Sequence, residues 1–380
     1  MRDMKILFIY GTRPEAIKMA PLVREFKANP EFEVRVCVTG QHREMLDQVL
    51  SFFDIVPDYD LNLMRPNQTL FTVTADVLLG LEPILEEFKP DNIWVQGDTT
   101  TVMAGSLAGF YKQIPVSHLE AGLRSGEKFS PFPEEVNRKV TGVVADYHFA
   151  PTNRAVENLA KEGIVKNVWN VGNTVTDALL LGLDIIKERG EEQFEKFFSD
   201  AGIYFSKRVV LVTGHRRESF GDPFQQMCEA MGEIAQRYND VQLVYPVHLN
   251  PNVRKVVGDV LGDVDNVTLI EPLDYPYLIW LMNRSYLVLT DSGGIQEEAP
   301  TLGKPVLVMR DVTERQEGVE AGTAKLVGTS KEVILRESFD LLDNPDSYKK
   351  MANAVNPYGD GTTSKQIVEI YRGFADGLGL

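Results

Sequence analysis

Five stretches of this chain combine residues that do chemistry with a preceding apolar run of strand length. Gly11-Thr12-Arg13 follows residues 4–10, Gly97-Asp98 follows 92–96, and Glu120 follows 114–119. Gly214-His215-Arg216-Arg217 follows 209–212, and Asp291-Ser292-Gly293-Gly294 follows 287–290. Arg13, Lys18, His215, Arg216, Arg217 and Arg315 can neutralise a diphosphate, while Asp98, Glu120 and Glu134 can move protons. The glycine pair at 293–294 lets backbone N–H groups approach a ligand closely. The helix after it points its positive end at the same spot, where an anion binds well. Glu297 and Glu298, slightly further in, could reach neutral hydroxyls. A backbone-held phosphate with a carboxylate beside it suggests a nucleotide whose ribose is gripped by an acid.

Each residue also has a plainer reading. Asp291 or Ser292 could simply cap a helix over 295–302, and Asp98 could cap one over 99–111, although capping and catalysis are not exclusive. Glu134 falls in the first turn after Pro133, where any acid favours the helix dipole. Glu120 has no helix to cap and follows a buried strand, which favours function. Arg13 and Lys18 could be solvated surface charges, and His215 a loop histidine. His118 alternates with apolar neighbours inside a strand and reads as core. His248 ends a strand and could line a pocket, whereas His42 and His148 carry no signal.

The 380-residue length fits two domains. Lys+Arg 39 against Asp+Glu 55 gives a net charge of −16, which argues against nucleic acid or an anionic membrane as partner. A local basic pocket for a nucleotide remains compatible with it. Cys37 and Cys228 lie in apolar contexts without metal-ligand or disulfide spacing, so a reducing compartment is expected. The N-terminus runs straight into a strand, so no signal peptide is expected, and no apolar run is long enough to span a bilayer. No GxGxxG follows a strand, no GxxxxGK[ST] occurs and no GxSxG elbow is present. Five scattered histidines without a Cys/His cluster make a zinc site unexpected. No cofactor is expected.

Positioning these residues requires a particular scaffold. Apolar strands at 4–10, 33–39, 92–96, 114–119 and 147–150 alternate with helices at 14–26, 42–52, 67–88, 99–111, 133–144 and 152–161, which implies a parallel sheet covered on both faces. The pattern restarts near 171–173. Helices are expected at 174–188, 191–200, 223–238, 275–282, 295–302 and 330–343, and strands at 209–212, 241–245, 267–270, 287–290, 305–309 and 324–327. The fold class is therefore α/β, with two doubly wound Rossmann-like domains over 1–172 and 173–362 facing a cleft. A tail helix at 363–380 packs back on the first. Open α/β sheets bind ligands outside the carboxyl ends of their strands, where the five stretches fall.

Long ordered motifs across essentially the whole chain resemble the non-hydrolysing UDP-N-acetylglucosamine 2-epimerases of bacteria. They are GTRPEAIKMAPL (11–22), VTGQHREMLDQVL (38–50), QGDTTT (96–101), HLEAGLRSG (118–126), SPFPEEVNR (130–138), TGHRRESFG (213–221), YPVHLNPNVR (245–254), TDSGGIQEEAP (290–300) and NPYGDG (356–361). The resemblance implies a glycosyltransferase-B-like fold whose second domain holds the nucleotide. It also implies a cytoplasmic homodimer that interconverts UDP-N-acetylglucosamine and UDP-N-acetylmannosamine for surface polysaccharide synthesis. Asp98, Glu120, Glu134 and His215 are then catalytic. Arg13, Lys18, Ser292, Gly293, Gly294, Glu298 and Arg315 join Asp98, Glu120 and His215 in binding substrate, with Leu273 and Leu278 of the segment 271–278 bordering the uracil. Residues matching a second, activating substrate site are Gln41, Glu44, Arg216 and His248, and Glu44 stands where many regulated members have Gln.

Chemistry narrows the route. The C2 hydrogen of the sugar is not alpha to a carbonyl, and no nicotinamide fingerprint is present to oxidise C3. Expelling UDP from C1 while a base takes the C2 proton leaves a 2-acetamidoglucal, to which UDP re-adds as a proton arrives from the other face. This route needs a leaving-group clamp and acid/base groups on both faces of the ring. Other readings are a glycosyltransferase, an epimerase of a 2,3-diacetamido uronic sugar nucleotide, and a nucleotide-sugar sensor without turnover. Retained carboxylates argue against the sensor.

Overall fold

The structure, a computed structural model, describes residues 3–40, 43–65, 67–214, 216 and 220–378. Gln41, His42, His215 and Arg217 lie outside them. The chain forms two compact units, residues 1–181 with 358–380, and 182–357.

The first unit carries strands β1 (Met4–Tyr10), β2 (Phe32–Val38), β3 (Tyr59–Asp60), β4 (Asn92–Gln96), β5 (Val116–Leu119), β6 (Tyr147–Ala150) and β7 (Val168–Asn170). They pair in parallel in the order β3-β2-β1-β4-β5-β6-β7. The second unit carries β8 (Arg208–Thr213), β9 (Val241–Pro246), β10 (Val267–Ile270), β11 (Leu287–Thr290), β12 (Val306–Val308) and β13 (Ala324–Leu326), parallel in the order β10-β9-β8-β11-β12-β13. Strand order reverses between β1 and β4 in one sheet and between β8 and β11 in the other. Such reversals open a crevice at the carboxyl ends of the strands. Gly11-Thr12-Arg13 and Gly97-Asp98 stand at the first reversal, and Gly214 with Asp291–Gly294 stand at the second.

Central strands read as continuous apolar runs because helices cover both faces. In the first unit Trp94 stacks on Phe149 with ring centroids 4.9 Å apart, and Tyr371 of the tail helix Thr363–Leu378 lies 5.6 Å from Phe26. Asp177 accepts N–H bonds from Thr363 and Ser364 at 3.3 and 2.7 Å, fixing the start of that helix. Gly172, at φ +87°, accepts the returning chain, since a Cβ there would stand 2.8 Å from Thr363 Oγ1 and 3.0 Å from the Tyr358 carbonyl. These contacts explain why the units divide at 181/182 and 357/358 rather than at 172/173 and 362/363. The pattern change near residue 172 marks the start of the helix Thr174–Arg189, and that helix continues through the division.

Other elements differ in detail from the sequence reading. β3 and β7 are short edge strands, and the helices Pro251–Leu261, Gln316–Ala321 and Pro345–Ala352 were not anticipated. Asn250 and Asn344 each cap a helix that begins with proline, a position where the missing N–H costs nothing. The long helix begins at Leu70, capped by Thr69, rather than at 67. Gly293 and Gly294 are the first residues of a helix instead of a turn before it, and the α-helix ends at Glu298. Residues Ala299–Leu302 tighten to 3-10 geometry around Pro300, which has no N–H to continue the ladder. No helix among the described residues is long and apolar enough to cross a membrane.

Candidate active site

Glu120 is the most constrained of the expected residues. It leaves β5 at φ +65°, a left-handed conformation rare for a residue with a Cβ, and such strain persists where surrounding structure holds it. Its carboxylate is buried. Oε1 accepts from Lys18 Nζ at 2.5 Å and Asn173 Nδ2 at 2.9 Å, and Oε2 accepts from the Gln96 side-chain amide. Gly97 turns the chain beside that carboxylate at φ +79°, a conformation that residues with a Cβ rarely adopt.

Asp98 follows on the neighbouring strand end and is partly open to solvent. Its Oδ2 accepts from Arg138 Nε at 2.8 Å and lies 2.7 Å from Arg138 Nη2, while Asn137 Nδ2 donates to its carbonyl at 2.9 Å. Asp98 does not cap the helix Thr100–Tyr111; Thr99 does, accepting from the Val102 N–H. Glu134 opens the helix Glu134–Val144, one turn before Arg138, and is half-buried without a side-chain partner among the described residues. Glu135 beside it is consumed by structure. Burial pushes its carboxyl up, but N–H bonds from Ser125 and Gly126 and the Arg138 guanidinium outweigh this and hold it below the usual range. Arg13 begins the helix Arg13–Lys27 and makes no ion pair among the described residues.

His118 is core, as its alternation implies, yet it also touches the site. Its Nε2 lies 2.7 Å from the Gly97 carbonyl, and burial lowers the imidazole to about 3, so the ring is neutral and donates.

In the second unit Asp291 joins the two central strand ends. Its Oδ2 accepts the Arg216 N–H at 2.8 Å, and Arg216 Nε donates to its carbonyl at 3.0 Å. Asp291 therefore serves the scaffold and Ser292 is the N-cap residue. The Ser292 N–H donates to Thr290 Oγ1 at 2.9 Å, so it is spent locally. The Gly293 and Gly294 amides stand at helix positions that have no intrahelical acceptor. Arg315 lies against them, since a Cβ on Gly293 would be 3.3 Å from its Cζ, and Glu297 Oε1 fixes it from Nε at 2.8 Å. Glu298 is buried with Oε2 near Gly294, 3.9 Å from where a Cβ would stand. Leu273 and Leu278, both half-buried, follow β10.

Of the expected second-site residues, Glu44 is exposed on the helix Arg43–Phe52, Arg216 is bound to Asp291 as above, and His248 is exposed with Nδ1 accepting the Asn250 N–H. Gln41, like His215, is outside the described residues. The thiols of Cys37 and Cys228 are buried and pushed up to about 12 by that burial.

Sequence reasoning missed Glu15, Gln96, Arg138, Asn173 and the scaffold role of Asp291. Only Glu15 carried a local signal, the Thr12-to-Glu15 spacing of a capping box.

Two doubly wound units, each a parallel sheet whose strand order reverses at its centre, define a protein of the glycosyltransferase-B structural class. The chain belongs to the UDP-N-acetylglucosamine 2-epimerase family, whose model matches residues 24–372. It is 56% identical to the UDP-N-acetylglucosamine 2-epimerase of Escherichia coli K12 over 367 residues, covering 96% of this chain and 98% of that one. It is 51% identical to the enzyme of the same name from Bacillus subtilis, covering 97% and 95%. A crystal structure of the Neisseria meningitidis UDP-GlcNAc 2-epimerase bound to UDP-GlcNAc is similar with a TM-score of 0.89 and 50% identity, covering 97% of this chain and all of that one.

Proposed function

We propose that this protein interconverts UDP-N-acetylglucosamine and UDP-N-acetylmannosamine and keeps the nucleotide linkage in its product. The observation that carries the reading is the pair of fixed carboxylates at adjacent strand ends, Asp98 held by Arg138 and Glu120 held by Lys18, Gln96 and Asn173. Binding alone requires neither. The near full-length relatives of the same name give the substrate class.

In this reading UDP leaves C1 with the bonding electrons while a carboxylate takes the C2 proton, forming the C1–C2 double bond of 2-acetamidoglucal. Re-addition returns a proton to C2 from the opposite face as a phosphate oxygen attacks C1. Asp98, Glu120 and Glu134 are the proton-transfer groups. Arg13, Arg315, His215 and the Gly293 and Gly294 amides stabilise charge on the departing diphosphate. Glu298 takes the ribose hydroxyls, and Leu273 and Leu278 border the uracil. The product supplies surface polysaccharide synthesis in the cytoplasm. Activation by substrate at a second site through Gln41, Glu44, Arg216 and His248 belongs to the same proposal. So does a homodimer, supported by the exposed Phe71, Leu79, Phe110 and Tyr111 on the helices Leu70–Phe88 and Thr100–Tyr111.

Proton NMR of UDP-N-acetylglucosamine with the protein in D2O tests the reaction. Growth of the manno epimer with deuterium at C2 is expected. Free sugar with released UDP would mean hydrolysis, and an unchanged spectrum would remove the epimerase reading.

A further inference from the structure

Glu15 has no part in the chemistry above, yet it is 2% exposed and sits between two strand ends that do. One oxygen, Oε2, accepts the N–H groups of Gly11 and Thr12 at 3.0 and 2.7 Å. These amides form the turn that presents Arg13. The other oxygen, Oε1, accepts the Thr99 hydroxyl at 2.7 Å, and Thr99 is the residue after Asp98 on the next strand end. The carboxylate thus bridges the β1 and β4 turns across the point where strand order reverses. The surroundings leave these turns little freedom. A Cβ on Gly11 would lie 2.0 Å from Thr39 Oγ1, and Thr39 Oγ1 is 3.0 Å from Thr101 Oγ1.

A capping box accounts for the Thr12 bond but not for the bridge to Thr99. A cap serves its own helix, whereas the Oε1 contact joins residues 84 positions apart. We propose that Glu15 is a positioning residue of the reaction, locking the turn that carries the diphosphate-binding Arg13 to the turn that carries the proton-transferring Asp98. The inference rests on the epimerase reading. Its value lies in distance: misplacing a reacting group by about 1 Å can cost roughly 10²-fold in rate.

Three variants test it, each assayed per folded protein well below its melting temperature. Glu15→Gln keeps the shape and one acceptor oxygen but turns an amide NH2, which cannot accept, toward either the Thr99 hydroxyl or the Gly11 and Thr12 N–H groups, so the bridge loses the acceptor it uses. Thr99→Val removes the bridging hydroxyl and with it the N-cap of the helix Thr100–Tyr111, and Thr99→Ser keeps both. The expected result is a fall in kcat of about 10-fold or more for Glu15→Gln and Thr99→Val, with KM nearly unchanged and Thr99→Ser close to wild type. The double variant Glu15→Gln/Thr99→Val should lose no more than the worse single, because both break one link. Multiplying losses in the double variant, or wild-type kcat with only a lower melting temperature, would overturn the inference and leave a simple cap. Wild-type protein that incorporates no deuterium at C2 would instead overturn the epimerase reading, so the two failures are distinguishable.

Discussion

Lys18 Nζ lies 2.5 Å from Glu120 Oε1 in an ion pair almost closed to solvent, the two side chains being 14% and 6% exposed. The lysine comes from the first helix and the glutamate from the end of β5, so the pair joins the helix after β1 to the strand two places along the sheet. Removing one partner of a buried pair costs about 3–5 kcal/mol because the other charge is left without its counter-ion. Here the Gln96 and Asn173 amides soften that loss. Lys18→Met should lower the melting temperature, and adding Glu120→Gln should recover most of it, since the stranded charge is gone. Both proteins should lose turnover by about 10²–10⁴-fold, as expected when a proton-transfer group is removed or misplaced. Calorimetry should find UDP affinity largely retained in Glu120→Gln. A Lys18→Met protein with the wild-type melting temperature would show that the pair contributes nothing to folding.

Arg138 grips one oxygen of Asp98 through two nitrogens. Asp98→Asn should cut turnover strongly while UDP affinity changes only a few-fold. Arg138→Lys keeps the charge but loses the planar two-nitrogen grip, and should lower kcat by roughly 10-fold. Steady-state kinetics with both substrates would measure this, and wild-type turnover in Asp98→Asn would remove that residue from its role.

Asp98 also shows how far the sequence could be read. Its place at a strand end was visible because a buried parallel strand is a continuous apolar run with an abrupt polar end. Which of the adjacent Asp98 and Thr99 caps the next helix was not visible. Arg138, 40 positions away, takes the aspartate and leaves the cap to threonine. Glu120 was legible for the same reason, but its partners Gln96 and Asn173 were not. They are chosen by neighbour order in the sheet and by the chain returning after β7, neither of which follows from local spacing. The glycine pair at 293–294 is legible, yet its helix begins two residues earlier than the spacing suggests and ends over Ala299–Leu302 in 3-10 geometry. Local preference names the residues able to bend a chain, while Arg315 packing over Gly293 and Pro300 ending the ladder set where the helix begins and ends.

Acid stability should report on two buried histidines. Burial holds the His118 imidazole at about 3 and the His148 imidazole at about 4. In the unfolded chain both sit at about 6.5. Above that value neither state binds the proton, and the folded protein has its full stability. Below it the unfolded chain takes up protons that the folded chain refuses, so stability falls as pH drops toward the folded values. Urea unfolding between pH 7 and 5, above the ordinary carboxylate range, should therefore show a steady loss. His148→Gln should make that slope shallower whatever it does to absolute stability. An equal slope in the variant would mean that His148 takes up its proton alike in the folded and unfolded chain.

The exposed apolar side chains of the first unit should decide assembly. Phe71 is 87% exposed, Leu79 69%, Tyr111 66% and Phe110 61%, on two helices packed side by side. Leu79 and Tyr111 also line one hollow with Leu78, Leu85 and Ala108, with the Glu82–Lys112 ion pair at its edge. Scattered apolar side chains are ordinary on a surface, but a contiguous group marks a contact site. Covering such a group gains about 25 cal/mol for each Å² of apolar area. A second copy of the chain would bring the same two helices and bury both sets at once, as a two-fold contact does. Leu79→Glu should place a charge in that contact and shift the protein from dimer to monomer in light scattering, with its melting temperature little changed. Leu79 faces solvent within a single chain, so loss of fold would not explain the shift. A dimer that survives both Leu79→Glu and Tyr111→Glu would place the contact elsewhere.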